Sequence, residues 1–126
     1  MSKYVDGFVL ALPKNKLASY RKMSEVMGKL MKKYGALEYV EAIGDDMNPK
    51  MMAGTKFLKF PKMAQAKPKE TVVFSFITYK SRASRDQVNA KVMKDPVMDD
   101  PKMKNAPMPF DMERMAYGGF KTIIDL

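Results

Sequence analysis

Residues 71–79, TVVFSFITY, constrain the fold most, because both faces of this predicted β-strand are apolar. Side chains alternate between the two faces of a strand. One face holds Val72, Phe74 and Phe76, and the other holds Val73, Ile77 and Tyr79. Residues 4–12, YVDGFVLAL, predict a second strand that is apolar on both faces. Strands of this kind belong in a sheet that is covered on both sides.

The other predicted elements complete a repeating order. Two further strands are predicted, over residues 36–44 and over residues 112–124. One helix is predicted over residues 14–34, and a second begins at Ser81 or Ser84 and ends at about residue 94. The order β-α-β-β-α-β is typical of the α+β, ferredoxin-like fold, with an antiparallel sheet and two helices on one face. A chain of 126 residues is expected to form one domain, residues 1–126.

Two helices cover only one face of such a sheet. The simplest cover for the other face is a second copy of the same sheet, so we expect a symmetric homodimer in which the sheets face each other. The alternative is a monomer that folds an irregular segment over the open face. Two such segments exist, residues 45–70, with a short helix or strand near residues 57–60, and the proline-rich residues 95–110, a loop with a single turn.

The composition excludes several classes of chemistry. The chain has no cysteine and no histidine, which excludes disulfides, thiolate chemistry, histidine relays and histidine-bound haem or zinc. We therefore expect no metal and no cofactor. No apolar run near the start is long enough for a signal peptide or a membrane span, so we expect a cytoplasmic protein without a membrane partner.

The net charge of +9 is concentrated on the predicted helices. Residues 1–35 carry eight Lys/Arg against two acidic residues. Lysines on a helix can contact phosphates, but they more commonly form a solvated face. The sequence contains no RNA-recognition motif, so nucleic acid is not an expected partner.

Several segments together resemble the bacterial YbaA-like family, which has no established activity. They are KYVDGFVLALP, EAIGDD, ETVVFSFITYKSRASRD, NAKVMKDP and MPFD…RMAYGGF. The resemblance implies a dimeric α/β-barrel, in which ferredoxin-like domains pair sheet to sheet. Broader relatives include cofactor-independent monooxygenases, isomerases of small ring compounds and haem enzymes, and the lack of histidine argues against the haem branch.

Four residues are candidates for catalysis. Asp6 and Glu41 lie within predicted strands between apolar neighbours, where a carboxylate would serve as a base or as an anchor for a ligand. Arg114 and Tyr117 would orient a substrate. Each of these roles has a structural alternative. Asp6 and Arg114 would instead form an ion pair, and the tyrosines at positions 79 and 117 would instead belong to the core.

Glycines in two strands predict a surface without side chains. The first and last strands are neighbours in this fold, so Gly7 would lie near Gly118 and Gly119. The alternatives are a β-bulge, the close approach of a helix, or the floor of a ligand pocket. The predicted pocket residues are Tyr4, Gly7, Phe8, Tyr79, Gly118 and Gly119.

The functional hypothesis is a homodimer with a mostly apolar pocket for a small molecule, between helices and sheet or at the dimer barrel. The chain's 14 methionines suit such a pocket as flexible filler. In an enzymatic version, a cofactor-independent oxygenase or isomerase, Asp6 or Glu41 acts as the base. In the alternative version the protein binds or senses the ligand without turnover. A third alternative is RNA binding through the basic helices.

Overall fold

A computed structural model of the chain describes residues 2–50 and 54–126. In these residues it has four strands and four α-helices. They are β1 (Tyr4–Pro13), α1 (Leu17–Lys33), β2 (Glu38–Ile43), α2 (Phe60–Met63), β3 (Glu70–Tyr79), α3 (Arg82–Met93), α4 (Pro101–Lys104) and β4 (Ala116–Lys121). Single 3-10 turns occupy Lys14–Lys16, Pro96–Asp99 and Met112–Arg114.

The four strands form one antiparallel sheet in the order β2-β3-β1-β4. The central strand β1 pairs with β3 on one side and with β4 on the other, so that Asp6 lies between Ile77 and Gly119. This topology confirms the predicted α+β, ferredoxin-like fold.

Helices α1 and α3 cover one face of the sheet, which we call the helix face. Near the N-terminal end of α1, Tyr20 packs with Leu10, Leu12 and Val73. Near its C-terminal end, the core joins residues of α1, β3 and α3: Leu30, Met31, Ile77, Tyr79, Val88 and Val92. The alternation predicted for residues 71–79 places Val73, Ile77 and Tyr79 together on this face, as expected.

The opposite face, which we call the open face, is covered by the described residues at one end only. There Ala64, which follows α2, is buried against Ala11 and Val72. The rings of Phe60 and Phe74 meet edge to face, with their centres 6.3 Å apart. The remaining side chains stay accessible, with Phe74 46% exposed and Phe120 61% exposed. The described part of the excursion, residues 45–50 and 54–70, therefore covers part of the open face and leaves the rest apolar and accessible.

Three predicted boundaries differ from the structure. The loop predicted over residues 95–110 contains the Pro96–Asp99 turn and α4, because Asp95 and Asp100 each accept a backbone N–H at the start of these elements. The last strand, predicted over residues 112–124, is shorter, because Asp111 caps the turn Met112–Arg114 ahead of it. The short element predicted near residues 57–60 is α2, and residues 51–53 lie outside the described residues.

The strand glycines make room for aromatic rings. Gly7 pairs directly with Gly118, and residues 4–9 pair with residues 116–121 without interruption, so the alternative of a β-bulge was wrong. On the helix face, a Cβ atom at position 119 would lie 2.7 Å from Cε2 of Tyr4. On the open face, the ring of Phe120 lies over Gly7. Side chains of the chain itself therefore occupy the space above these glycines.

We predict that Gly119→Ala lowers the free energy of unfolding by about 1–2 kcal/mol, because the new methyl group displaces the Tyr4 ring. Gly118→Ala is the matched control, since its Cβ would lie 3.8 Å from the nearest atoms of Phe120. The control should change stability by less than ~1 kcal/mol. Urea denaturation followed by circular dichroism measures both variants, and equal losses would contradict the explanation.

Candidate functional site

Two cavities lie on the helix face. The first, the edge cavity, has a volume of about 740 Å³ and lies between α1 and the edge strand β2. The second, the central cavity, has a volume of about 460 Å³ and lies between the two long helices and the sheet. Five methionines contribute to its lining: Met23, Met27, Met31, Met93 and Met115. Four residues line both cavities: Tyr20, Ser24, Tyr39 and Glu41.

Glu41 is the carboxylate that both cavities share. It projects from β2 on the helix face, together with Tyr39 two residues before it. The Tyr20 hydroxyl, from α1, donates a hydrogen bond to Oε2 at 2.7 Å, and the Tyr39 hydroxyl donates to Oε1 at 3.0 Å. Each carboxylate oxygen therefore has one tyrosine partner and retains capacity to accept a further hydrogen bond.

The two tyrosines remain hydrogen-bond donors throughout the ordinary pH range. Burial raises the pKa of Tyr20, and the neighbouring Glu41 carboxylate raises it further. The same two causes raise the pKa of Tyr39. A carboxylate held by two neutral donors in a largely apolar wall is suited to binding a hydroxyl or an N–H group of a ligand.

Gly28 in α1 allows this arrangement. It is buried, and a Cβ atom there would lie 2.7 Å from Cδ1 of Tyr39. Glycine in the middle of a helix costs about 1 kcal/mol relative to alanine, so its presence has a packing reason here. Sequence reasoning found Glu41 but missed Tyr20 and Tyr39, and the mid-helix glycine was the available signal that a bulky group approaches α1.

Asp6 is buried and belongs to a separate cluster. Its side chain is 2% exposed, and Nη1 of Arg85 donates a hydrogen bond to Oδ1 at 3.0 Å. The same nitrogen donates to the Tyr117 hydroxyl at 2.9 Å, and the guanidinium lies 5.0 Å from the centre of the Tyr4 ring. Burial raises the pKa of Asp6, and Arg85 opposes this increase. The predicted ion pair of Asp6 therefore exists, but its predicted partner, Arg114, was wrong.

Arg114 instead joins the start of β3 to the turn before β4. Its Nη1 and Nη2 donate to the two oxygens of Glu70 at 2.7 and 2.8 Å, and its Nε donates to Asp111 at 3.0 Å. The guanidinium lowers the pKa of Glu70 to about 2. Since the turn that carries Arg114 is held at the start of β3, its side chain is committed to these carboxylates.

Three other predicted site residues have different surroundings. Tyr79 is fully buried, and its hydroxyl has no hydrogen-bond partner among the described residues. Tyr117 stacks on Phe8, with ring centres 4.7 Å apart, but it is 51% exposed, so the alternative that it belongs to the core was wrong. Phe8 also lines the central cavity, so Phe8 and Glu41 are the sequence-predicted site residues that reach these two cavities.

We predict that Arg85→Met destabilises the fold by about 3 kcal/mol, because it leaves the buried Asp6 carboxylate unpaired. Adding Asp6→Asn should recover at least half of that loss. Lys3→Met is the control, because it breaks a half-exposed ion pair with Asp125 and should cost at most ~1 kcal/mol. These values come from urea unfolding at neutral pH, and a loss below ~1 kcal/mol for Arg85→Met would contradict the role of this pair.

The sequence matches one protein family over most of its length. Residues 3–112 match the model of DUF1428, a family described as proteins of unknown function. The chain belongs to this family. It is also 44% identical, over 123 residues and 98% of both chains, to the uncharacterized protein YbaA of Escherichia coli strain K12 and to that of Shigella flexneri. These matches confirm the resemblance to YbaA-like proteins.

A solved structure supports the fold. The crystal structure of a dimeric ferredoxin-like protein from an uncultured marine organism aligns over the whole of both chains, with a TM-score of 0.59 and 14% sequence identity. At this identity the similarity concerns the fold. It supports the assignment of the ferredoxin-like fold.

Two further properties concern the described ranges 2–50 and 54–126. Within them, no helix combines the length and apolar character that crossing a membrane requires. In the same ranges, no three acidic side chains converge in a group that would hold a metal ion.

Proposed function

We propose that this protein binds a small, largely apolar molecule between its helices and its sheet, with Glu41 as the polar anchor. The observation that carries this proposal is the position of the Glu41 carboxylate, in the wall common to both cavities and hydrogen-bonded to Tyr20 and Tyr39. The carboxylate would accept a hydrogen bond from a hydroxyl or an N–H group of the ligand.

The dimensions of the cavities support a small-molecule ligand. Volumes of about 740 and 460 Å³ fall within the range of roughly 300–1,000 Å³ that is common for small-molecule sites. Methionine side chains in the central cavity can adapt to ligands of different shape. An aromatic or branched aliphatic molecule would suit this lining.

Binding is the activity that the contacts favour. Asp6 is not available as a free base, because it forms a buried ion pair with Arg85. A cofactor-independent oxygenase or isomerase would use the same cavities, and Glu41 would then be the residue in place to take a proton. Because both oxygens of Glu41 already accept hydrogen bonds, the arrangement favours holding a ligand over abstracting a proton.

The test uses N-phenyl-1-naphthylamine, a neutral apolar probe that becomes fluorescent in apolar sites. We predict saturable binding to the wild-type protein and at least about tenfold weaker binding to Met27→Asp, because a charge in the central cavity disfavours an apolar ligand. The neighbouring Val26→Asp is the control, since Val26 is exposed on α1 and lines neither cavity.

A second readout does not depend on how well the variants fold. In wild-type protein labelled at the methionine methyl groups, the probe should shift the NMR signals of Met27 and Met31. The absence of saturable binding, or shifts confined to methionines away from the cavities, would overturn the proposal.

We also propose that two copies pair through their open faces. Phe74 and Phe120 are exposed there, and among the described residues the cover formed by α2 and Ala64 reaches only one end of the face. An uncovered apolar surface of this kind favours association with a self-complementary copy. The dimeric ferredoxin-like protein that shares this fold gives the proposal further support.

We predict a dimer for the wild-type protein and a monomer for Phe74→Glu, because the charge would be buried between the sheets. Val26→Glu places the same charge on α1, away from the sheet, and should leave the dimer intact. Native mass spectrometry on untagged protein reports the subunit count. A monomeric wild-type protein, or a dimer that survives Phe74→Glu, would contradict pairing through this face.

A further inference from the structure

Resting on the proposed function, we infer that the edge cavity takes an apolar molecule that carries an anionic head group, such as a carboxylate or a sulfonate. The observation behind this inference is a row of cationic side chains on α1 that lines the edge cavity. Apolar side chains occupy the other parts of the same cavity.

The row follows one side of the helix. Arg21, Glu25, Lys29 and Lys32 are spaced four, four and three residues apart, so they share a face of α1, and all four line the edge cavity. Three of these side chains are cations and one is an acid. The spacing therefore places three positive charges along one wall of the cavity.

These cations are not committed to carboxylates of the protein. Elsewhere, Lys33 pairs with Asp95, Arg85 pairs with Asp6, and Arg114 pairs with Glu70. Across residues 2–50 and 54–126, by contrast, no ion pair involves Arg21, Lys29 or Lys32. An anion that enters the edge cavity would meet available positive charge there.

The rest of the lining determines how the ligand would lie. Leu17, Ile43 and Val73 provide apolar surface at the end of the cavity near the start of α1. The Glu41 carboxylate would repel an anion, so the head group would stay beside Lys29 and Lys32. The apolar body would then extend over the apolar residues.

Two probes isolate the contribution of the head group. 8-Anilinonaphthalene-1-sulfonate and N-phenyl-1-naphthylamine share one ring system and differ in the sulfonate group. At low ionic strength, we expect the sulfonate probe to bind about tenfold more tightly, on the basis of a roughly threefold gain from each of two exposed lysines. This preference should shrink as salt is added.

Paired variants locate the effect. Lys29→Gln combined with Lys32→Gln should remove the preference and change the affinity for the neutral probe by less than about twofold. The control combines Lys14→Gln with Lys22→Gln, which alters the net charge equally at exposed positions that do not line the cavity. It should keep most of the preference. In methyl-labelled protein, the sulfonate probe should shift the signals of Leu17 and Ile43.

The outcomes separate this inference from the proposed function. Equal affinities for the two probes, equal effects of the two double variants, or methyl shifts confined to the open face would overturn the inference. Binding of the neutral probe inside the cavities would then still support the proposed function. If neither probe binds the wild-type protein, the proposed function fails, and the inference fails with it.

Discussion

The structure depends on one constraint, which is that the central strands β1 and β3 are apolar on both faces. Water must be excluded from both sides of such a sheet, and the chain meets this requirement differently on each side. On the helix face, α1 and α3 form the cover. On the open face, the residues that the structure describes provide only the short cover around Ala64, and the rest of that surface is accessible.

The cover on the helix face is incomplete, and this is the origin of the cavities. The side of α1 that faces the sheet carries small residues at Ser24 and Gly28, one helical turn apart, and both are buried. Small residues leave room for the Tyr39 ring and bring Glu41 within reach of Tyr20. The space for a ligand and the polar group in its wall therefore have the same structural cause.

Two carboxylates of the sheet, the buried Asp6 and the partly buried Glu41, differ in their partners. Asp6 faces a full positive charge on Arg85, in a cluster that also holds Tyr4 and Tyr117. Such a pair fixes the position of α3 against the end of the sheet. Glu41 faces neutral hydroxyl groups and borders open space, so it remains able to accept a hydrogen bond from another molecule. Similar positions in two strands thus have different surroundings.

The sequence by itself determined the element order, the ferredoxin-like fold and the face on which each strand residue lies, because these follow from local periodicity and from the alternation of side chains. It also indicated that Asp6 and Glu41 require partners, since a buried carboxylate is costly when unpaired. Only the tertiary structure decided which partners they have. Arg85 and Arg114 are both distant from Asp6 along the chain. Arg85 pairs with Asp6 because α3 packs over β1, whereas Arg114 is held by Glu70. The tyrosines around Glu41 come together for the same reason, because their contact depends on how closely α1 approaches β2, a distance that no local pattern encodes.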